Sequence, residues 1–574
     1  MNAQQYPKVK PLSLKERKWP SRCLSEAPTW CSVDLRDANQ ALDHPMTLTQ
    51  KAELFNQLCD IGFKEIEVSF PSASQTDFNF TRYLIDNEVI PEDVWIQVMC
   101  PSQDALIDRT FESIAGAKRA ILHFFMSASP LQRELVLKRD VAACERLSVE
   151  AAKRIMAHIH VHEKAYPGSQ IHVLYSLESF SSTEPDIALA LIDAVAEVLI
   201  EENQDPTRRL MMNLCHTVER SMPNYYADLV EYMIENSRFR EQLIWSIHTH
   251  NDRGTAVAAN ELALLAGANR VEGTLFGTGE RAGNADLVTL ALNFLTQGID
   301  PKLDLSHLPE LMRCVKNVMN YQVPSKHPYG GSDIFKTYSG THQDAIRKVL
   351  KRRQEQRAKG EKLDIWHVPY LPVDPGDLGF EEQPIIRITS QSGRSGIHYI
   401  METLFGYDLP APLLAIFARQ VKAEADRLSR ELSYEELYTI FSTRYLNYED
   451  PLRLIHYSEH MINEDLISIE AKLLYKGHLY EIQGQGKGVL TAFAKALTRQ
   501  FDLEMELMSY QQNIMEDHLN SRVVTYLGLK DLRNAGALIY FGVGTSNDLT
   551  KASLRASLSA LNHYLKSQNL KNQA

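Results

Sequence analysis

The strongest constraint on the fold is an alternation of two kinds of segment. Short runs rich in β-branched and aromatic residues alternate with longer segments that carry apolar residues at helical spacing. The predicted strands are Trp30–Leu35, Lys64–Phe70, Val94–Cys100, Arg119–Phe125, Gln170–Ser176, Arg209–Leu214, Ile244–His250 and Arg270–Phe276. Eight strands, each followed by a helix, over about 270 residues predict an α/β protein with a (β/α)8 TIM barrel. A doubly wound open sheet is the alternative, but no glycine-rich dinucleotide turn follows the first strand.

Composition excludes several classes of function. Of the 574 residues, 44% are hydrophobic and 23% charged, which is typical of a globular protein. The formal net charge of −12 argues against nucleic acid and against an anionic membrane surface as partners. No apolar run approaches the roughly 18 residues that span a bilayer. No secretory signal is expected, because residues 1–20 contain Lys and Arg but no apolar run. The seven cysteines, without a Cys-x-x-Cys, predict reduced thiols in a cytoplasmic protein.

Polar residues follow the predicted strands at the rim where barrel enzymes carry their chemistry. His248 and His250 are two residues apart on one predicted strand, so their side chains share a face. A carboxylate, two histidines and an amide that converge on this rim predict a divalent metal site that leaves positions open for substrate and water. The alternative is a pair of hydrogen-bonded histidines in a polar pocket.

The glycine-rich loop that follows the last predicted strand allows two interpretations. Gly277-Thr-Gly-Glu-Arg-Ala-Gly283 could cradle a phosphate, but the Gly-x-Gly signal is weak and no lysine follows it. We interpret it as a turn that brings Asn284 to the metal, with Glu280 and Arg281 anchoring the loop.

Longer motifs carry a family resemblance. Val33-Asp-Leu-Arg-Asp-Ala-Asn-Gln40 resembles the opening signature of the metal-dependent acyltransferase and lyase barrels related to pyruvate carboxyltransferase. His248-Thr-His-Asn-Asp252 and the segment Gly273 to Asn284 match the second half of that signature. Three further motifs extend the likeness to the 2-isopropylmalate synthase family in its long bacterial and fungal form: Asn213-Leu-x-x-Thr-Val-Glu219, Ser339–Ala345 and Val368–Pro375. The resemblance is weakest towards the C-terminus.

The resemblance implies a reaction and a cofactor. The family condenses acetyl-CoA with 3-methyl-2-oxobutanoate in a Claisen-type step and then hydrolyses the thioester, which gives 2-isopropylmalate and CoA, the first committed step of leucine biosynthesis. It implies Asp37, His248, His250 and Asn284 as ligands of a divalent ion. This mixed ligand set leaves Mg, Mn and Zn open, and we expect Mg.

The resemblance also implies catalytic residues. Arg36 would stabilise developing negative charge, although a structural ion pair with Glu67 is the alternative. Glu178 and His342 match family positions that serve proton removal, and Tyr370 matches a family tyrosine that assists as an acid or as a positioning residue. Which of the three takes the proton is left open.

Three further residues are expected to bind substrate. Thr217 matches a substrate-pocket residue of the family, and His123 and Ser176 are expected to line the same pocket. For each of them a packing or capping role is the alternative.

The chain is predicted to divide into four parts. These are an N-terminal arm (1–29), the catalytic barrel (30–305), a mainly helical linker (306–451) and a C-terminal α+β regulatory domain (452–574). The charge run that begins at Arg347 predicts a solvated helix face. By analogy with the family, the linker lies over the barrel of a partner subunit, so that His342 and Tyr370 complete an active site in a homodimer.

The C-terminal part shows a weak internal repeat. Predicted strands at Leu466–Tyr475 and His478–Gln483 lead through a Gly-x-Gly loop into a helix at Val489–Phe501. Strand-like runs at Ser521–Leu529 and Ala537–Gly542 lead in the same way into Leu549–Leu565. This pattern resembles the leucine-binding regulatory domain of the family, and we expect feedback inhibition by leucine.

Competing interpretations differ in substrate or in class. Homocitrate synthase and citramalate synthase share the chemistry and differ in the 2-oxo acid. A lyase that runs the reverse reaction is disfavoured, because the C-terminal extension suits a controlled biosynthetic step. A non-catalytic small-molecule sensor would be expected to have lost a metal ligand or Arg36, and all of these are present.

Overall fold

A computed structural model describes residues 16–362, 365–380, 393–515, 522–533 and 538–571, together with residues 12, 14 and 388. The chain divides into two compact units. The first comprises Met1–Ile334 with Val373–Glu382, and the second comprises Phe335–Pro372 with Gln383–Ala574. Among the described residues, no helix has the length and apolar character needed to cross a membrane.

The first unit contains a closed barrel of eight strands that pair in parallel and in sequential order, since β1 pairs with both β2 and β8. The strands are β1 (Thr29–Ser32), β2 (Glu65–Ser69), β3 (Trp95–Pro101), β4 (Arg119–Ser127), β5 (Gln170–Glu178), β6 (Leu210–His216), β7 (Ile244–Thr249) and β8 (Arg270–Gly273). The helices are α1 (Leu48–Ile61), α2 (Gln75–Asp86), α3 (Asp104–Ser113), α4 (Val141–Ala165), α5 (Pro185–Glu201), α6 (Pro223–Asn236), α7 (Ala256–Leu265), α8 (Leu287–Thr296) and α9 (Leu308–Met319). The structure therefore confirms the predicted barrel and excludes the alternative, an open sheet.

Strands β1 and β8 are shorter than predicted. Their shared ladder ends at the pair Ser32 and Gly273. The chain then enters a π-helical turn at Asp34–Ala38, where the buried carboxylate of Asp34 accepts hydrogen bonds from the Ser32 hydroxyl (2.8 Å) and the Leu275 amide (3.0 Å). These local hydrogen bonds end the strand although the sequence remains β-rich.

Helix α1 shows why some boundaries are readable from sequence. Thr47 and Gln50 form a capping box, in which each side chain bonds the other residue's backbone N–H. Gly62 ends the helix in the left-handed conformation at φ 111°. The sequence predicts this helix at Leu48–Ile61, with Thr47 or Thr49 as its cap and Gly62 at its end, and the structure confirms the bounds, Thr47 and Gly62.

The second unit begins with helices and ends with two similar α+β modules. The helices are α10 (Gly340–Ala358), α11 (Arg394–Thr403), α12 (Ala411–Leu428) and α13 (Tyr434–Arg444). The first module is β9 (Leu452–Asn463), β10 (Leu466–Tyr475), β11 (His478–Gly486) and α14 (Val489–Phe501). The second is β12 (Met505–Met515), β13 (Arg522–Asp531), β14 (Ile539–Ser546) and α15 (Leu549–Lys571). Each sheet is a three-stranded antiparallel meander.

The internal repeat has a packing reason. A Cβ atom on Gly484 would lie 2.2 Å from the carbonyl oxygen of Ala492, and one on Gly542 would lie 2.2 Å from that of Ala556. Glycine therefore lets each sheet approach its own helix closely.

The sequence analysis did not predict β9 and β12. Both are largely exposed strands without a regular apolar alternation.

Candidate active site at the carboxyl end of the barrel

A cavity of about 210 Å³ opens at the carboxyl ends of the barrel strands. It brings together eight of the residues predicted from sequence: Arg36, Asp37, His123, Ser176, Glu178, Thr217, His248 and His250. The rest of its lining is Gln40, Phe70, Met99, Phe125, Asn213, Cys215 and Glu280. Residues that are far apart in the sequence thus share one pocket, as the barrel topology requires.

Asp37, His248 and His250 form the centre of this cavity. Their potential ligand atoms all lie within 4.8 Å of one another, and all three residues are buried. The Asp37 Oδ2 atom lies 3.6 Å from the His248 Nε2 atom and 3.9 Å from the His250 Nε2 atom. One carboxylate and two imidazoles at this spacing could hold a divalent cation.

Unsatisfied buried atoms support a cation at this position. Asp37 Oδ2 and Asn284 Oδ1 are buried and have no hydrogen-bond partner among the described residues. The Asn284 amide donates to the Thr278 carbonyl oxygen (3.1 Å), which leaves its own oxygen available. Because buried polar atoms without partners are costly, this pair of oxygens fits a bound ion.

Glycines shape the loop that carries Asn284. His250 lies just beyond β7 and forms an isolated backbone bridge with Asn284, so it is not a strand residue as predicted. A Cβ atom on Gly279 would lie 2.2 Å from the Asn284 amide nitrogen, and one on Gly283 would overlap the Gly277 carbonyl. The loop can therefore bring Asn284 beside His250 only with glycines at these positions.

Charge around the two histidines is asymmetric. Burial alone would lower the pKa of His248, but Asp37 and Glu272 raise that pKa to about 9. Burial and the neighbouring His248 lower the pKa of His250 to about 4. Burial would raise the pKa of Asp37, yet Arg36 and His248 outweigh it and hold the carboxyl well below its usual range. The pocket thus keeps an ionised carboxylate and a neutral imidazole at neutral pH.

Arg36 is held by hydrogen bonds to two carboxylates. Its Nε atom donates to Glu67 Oε2 and one terminal nitrogen donates to Asp37 Oδ1, each at 2.6 Å. The buried Lys51 on α1 donates to the Leu35 carbonyl oxygen (3.1 Å) and so supports the turn that carries Arg36. The structural ion pair with Glu67 exists, and the same guanidinium lines the cavity.

His123 and Ser176 belong to one buried hydrogen-bonded chain. His123 pairs through Nδ1 with Glu67 Oε1 (2.7 Å) and through Nε2 with the Ser176 hydroxyl (2.6 Å). Asn213 donates to the same hydroxyl oxygen (3.0 Å). These side chains face the cavity in fixed orientations.

Glu178 and Thr217 line the cavity at the ends of β5 and β6. Glu178 ends β5 beside the cavity, and burial raises the pKa of its carboxyl. The Thr217 hydroxyl accepts a hydrogen bond from the Ser179 amide (2.8 Å), so it also holds the loop after β5. Arg281 bonds Asp252 (2.7 Å), which anchors the glycine loop as the sequence suggested.

His342 and Tyr370 belong to the second unit and not to the barrel. Their rings stack with centroids 3.8 Å apart and planes inclined by 21°. Tyr370 has a left-handed backbone at φ 65° and an exposed side chain. How these two residues meet the barrel cavity stays a prediction.

Two residues of the site were missed from the sequence. Glu272 on β8 and Gln97 on β3 are fully buried inside the barrel. Glu272 bonds His248, which lines the cavity, and Gln97 bonds Glu272. Their only sequence signal is a polar residue inside a short apolar strand, which by itself does not distinguish a buried network from a surface position.

Comparison with known proteins agrees with this geometry. Residues 27–315 match the HMGL-like family model, so the fold and the site define a metal-dependent barrel of that class. Residues 332–402 match the model described as "alpha-isopropylmalate synthase, post-catalytic domain-like", and residues 431–565 match the "LeuA allosteric (dimerisation) domain". The chain belongs to the 2-isopropylmalate synthase family.

Curated relatives match along the full length. A 2-isopropylmalate synthase of Acetoanaerobium sticklandii is 40% identical over 100% of this chain and 98% of its own. One of Clostridium acetobutylicum is 42% identical over 97% of this chain and 98% of its own. A solved HMG-CoA lyase from Brucella melitensis is 18% identical, and the match covers 52% of this chain and 100% of that chain with a TM-score of 0.41.

Proposed function

We infer that this protein condenses acetyl-CoA with 3-methyl-2-oxobutanoate and hydrolyses the thioester to give 2-isopropylmalate and CoA, the first committed step of leucine biosynthesis. Leucine regulates the reaction through the C-terminal modules. The single observation that carries this function is the convergence of Asp37, His248 and His250 in one buried cluster at the carboxyl rim of the barrel.

Asp37, His248, His250 and Asn284 are proposed to hold the divalent ion. We expect Mg, with Mn or Zn as alternatives, because the set mixes oxygen and nitrogen donors. When bound, the ion supplies Lewis acidity at the ketone oxygen of the 2-oxo acid. The unpartnered oxygens of Asp37 and Asn284 support this assignment.

Arg36 is proposed to stabilise negative charge that develops on the reacting oxygen. Its guanidinium is fixed by Glu67 and Asp37 and lines the cavity. A donor that is already oriented needs no reorganisation during the reaction, which is the main source of electrostatic stabilisation in enzymes.

Glu178 is proposed to remove the methyl proton of acetyl-CoA. It lines the cavity, and its raised pKa makes its ionised form a stronger base than an ordinary carboxylate. His342 and Tyr370 are proposed to assist in proton transfer as a stacked pair. We propose that a partner subunit supplies this pair within a homodimer, which the match to a dimerisation domain supports.

His123, Ser176 and Thr217 are proposed to bind the 2-oxo acid. The neighbouring side chains of Met99 and Phe125 give the same cavity an apolar wall that suits a branched alkyl group. A longer acidic substrate would have to place a second carboxylate against this wall at a desolvation cost.

A thiol-release assay tests the function. Acetyl-CoA is supplied with 3-methyl-2-oxobutanoate, pyruvate or 2-oxoglutarate, each with and without a chelator and leucine. We expect the largest kcat/KM with 3-methyl-2-oxobutanoate, loss of turnover with the chelator and inhibition by leucine. A preference for pyruvate would indicate citramalate synthesis and one for 2-oxoglutarate would indicate homocitrate synthesis. Absence of thiol release with every acid would contradict the proposed enzymatic function.

A further inference from the structure

Two buried carboxylates lie inside the barrel below the cavity. Glu67 on β2 and Glu272 on β8 have no exposed surface. Each bonds one cavity histidine through its Nδ1 atom: Glu67 bonds His123 at 2.7 Å and Glu272 bonds His248 at 3.0 Å. An ionised carboxylate can only accept a hydrogen bond, so in both pairs the histidine must carry its proton on Nδ1.

Gln97 on β3 joins the two carboxylates. Its amide nitrogen donates to Glu67 Oε1 and to Glu272 Oε1, each at 2.9 Å. Its carbonyl oxygen accepts from Arg270 (2.7 Å), so all three of these interactions use the polar atoms of one fully buried side chain. An amide suits this position because a third carboxylate between the other two would add repulsion in a site that excludes water.

The hydrogen bonds fix the direction of protons across the cavity floor. The two N–H groups of the Asn213 amide are directed at Ser176 and at Glu272. The Ser176 hydroxyl therefore gives its own proton to the Nε2 atom of His123. On the other side, a neutral His248 whose proton lies on Nδ1 presents an unprotonated Nε2 atom towards Asp37. Both imidazoles are set in the same tautomer by their carboxylates.

We propose that Glu272, Glu67 and Gln97 act as one positioning unit, in which Glu272 sets the metal-facing nitrogen of His248, Glu67 sets His123 and Arg36, and Gln97 couples the two. The proposal rests on the proposed function for the identity of the cavity as a metal centre. None of the three lines the cavity. The two glutamates act through His248, His123 and Arg36, which do line it, and Gln97 acts through the two glutamates. Carboxylates that orient a ligating histidine typically change metal affinity by 10- to 100-fold.

Metal affinity separates the roles of the two carboxylates. Calorimetric titration of the chelator-treated full chain with Mn²⁺ should show a roughly 10- to 100-fold weaker Kd for Glu272→Gln. Glu67→Gln should leave the Mn²⁺ Kd within about 3-fold and weaken 2-oxo acid binding to the Mn²⁺-loaded protein. Glu231→Gln is the matched control, because Glu231 on α6 is also buried and accepts hydrogen bonds from the Lys18 and Trp19 amides, far from the three residues in sequence and outside the cavity lining. It should leave both affinities unchanged.

Gln97→Met provides a second variant of similar size should Glu272→Gln fail to fold. It removes both donors and should weaken Mn²⁺ binding and 2-oxo acid binding together. Histidine ¹⁵N resonances give a readout independent of turnover: protonated Nδ1 is expected for His123 and His248 in the wild type, with His248 changed in Glu272→Gln. An unchanged Mn²⁺ Kd in Glu272→Gln, or in Gln97→Met, would overturn the inference. Failure of the wild type itself to bind Mn²⁺ would instead contradict the proposed metal centre.

Discussion

The guanidinium of Arg36 donates to the Oδ1 atom of its sequence neighbour Asp37 at 2.6 Å. This contact turns the other carboxylate oxygen, Oδ2, towards the two cavity histidines. Two adjacent residues with opposite charges can share a pocket only because the π-helical turn places both side chains on its inner side.

Replacement of Arg36 by lysine tests that geometry. Lysine keeps the charge but lacks the fork that bonds Glu67 and Asp37 at once, so kcat should fall by roughly 100-fold. Steady-state kinetics measure the loss, and the Mn²⁺ Kd should stay within about 3-fold. Wild-type kcat in Arg36→Lys would contradict a role in stabilising charge.

Removal of a metal ligand should abolish most of the activity. Because Lewis-acid stabilisation contributes several kcal/mol, His250→Ala should lower kcat by roughly 1,000-fold. Chelator treatment of the wild type should have a similar effect and be reversed by added Mg²⁺. His160→Ala on α4, outside the cavity lining, serves as the control and should keep full activity.

Glu178→Gln tests the proposed base. The amide cannot accept the methyl proton, so kcat should fall by roughly 100- to 10,000-fold while Mn²⁺ binding is retained. In the wild type, kcat should decline on the acid side at a pH above the ordinary carboxyl range, because burial raises the pKa of Glu178 and only its ionised form is active. If Glu178→Gln keeps its turnover, His342 or Tyr370, and not Glu178, removes the methyl proton.

The buried carboxyl of Asp34 predicts a pH dependence of stability. Burial raises its pKa from 3.8 to about 7 in the folded chain, although the Ser32 and Leu275 hydrogen bonds oppose the rise. Between these values the folded state binds the extra proton, so the free energy of unfolding falls as pH rises, by up to about 4 kcal/mol from this group. The asparagine side chain of Asp34→Asn does not ionise, so the free energy of unfolding of this variant should not fall with pH through this position.

The midpoint of thermal unfolding of the barrel, measured as a function of pH, checks this expectation. The midpoint of Asp34→Asn relative to wild type should shift upward as pH rises from 5 to 8. Asp60→Asn, at the exposed end of α1, is the control and should give a constant difference. A constant difference for Asp34→Asn as well would show that the carboxyl is already ionised across this range.

Gly484→Ala tests the regulatory modules. The added Cβ would push β11 away from α14, so the leucine concentration for half inhibition should rise about 10-fold or more, while kcat stays within about 2-fold. Gly488→Ala is the matched control, because no atom lies within 4 Å of the added Cβ and the backbone is extended. Equal leucine sensitivity in both variants would contradict the role of the close sheet–helix packing.

The sequence alone determined the elements whose signals are local. The bounds of α1 and α14 match the prediction because apolar spacing, caps and breakers act within a few residues. The order of eight strands and the rule that barrel chemistry lies at their carboxyl ends predicted a metal site at this rim. The family resemblance assigned Asp37, His248 and His250 to it, and the structure places the three together.

Only the tertiary structure decided how these side chains are held. Glu272 and Gln97 carry no local signal, because their partners come from strands far away in the sequence. The early end of β1 likewise depends on the Leu275 amide, more than two hundred residues from Asp34. Periodicity reports which way a residue faces, whereas a buried hydrogen-bond network depends on closure of the barrel, which brings every strand into contact with a shared interior.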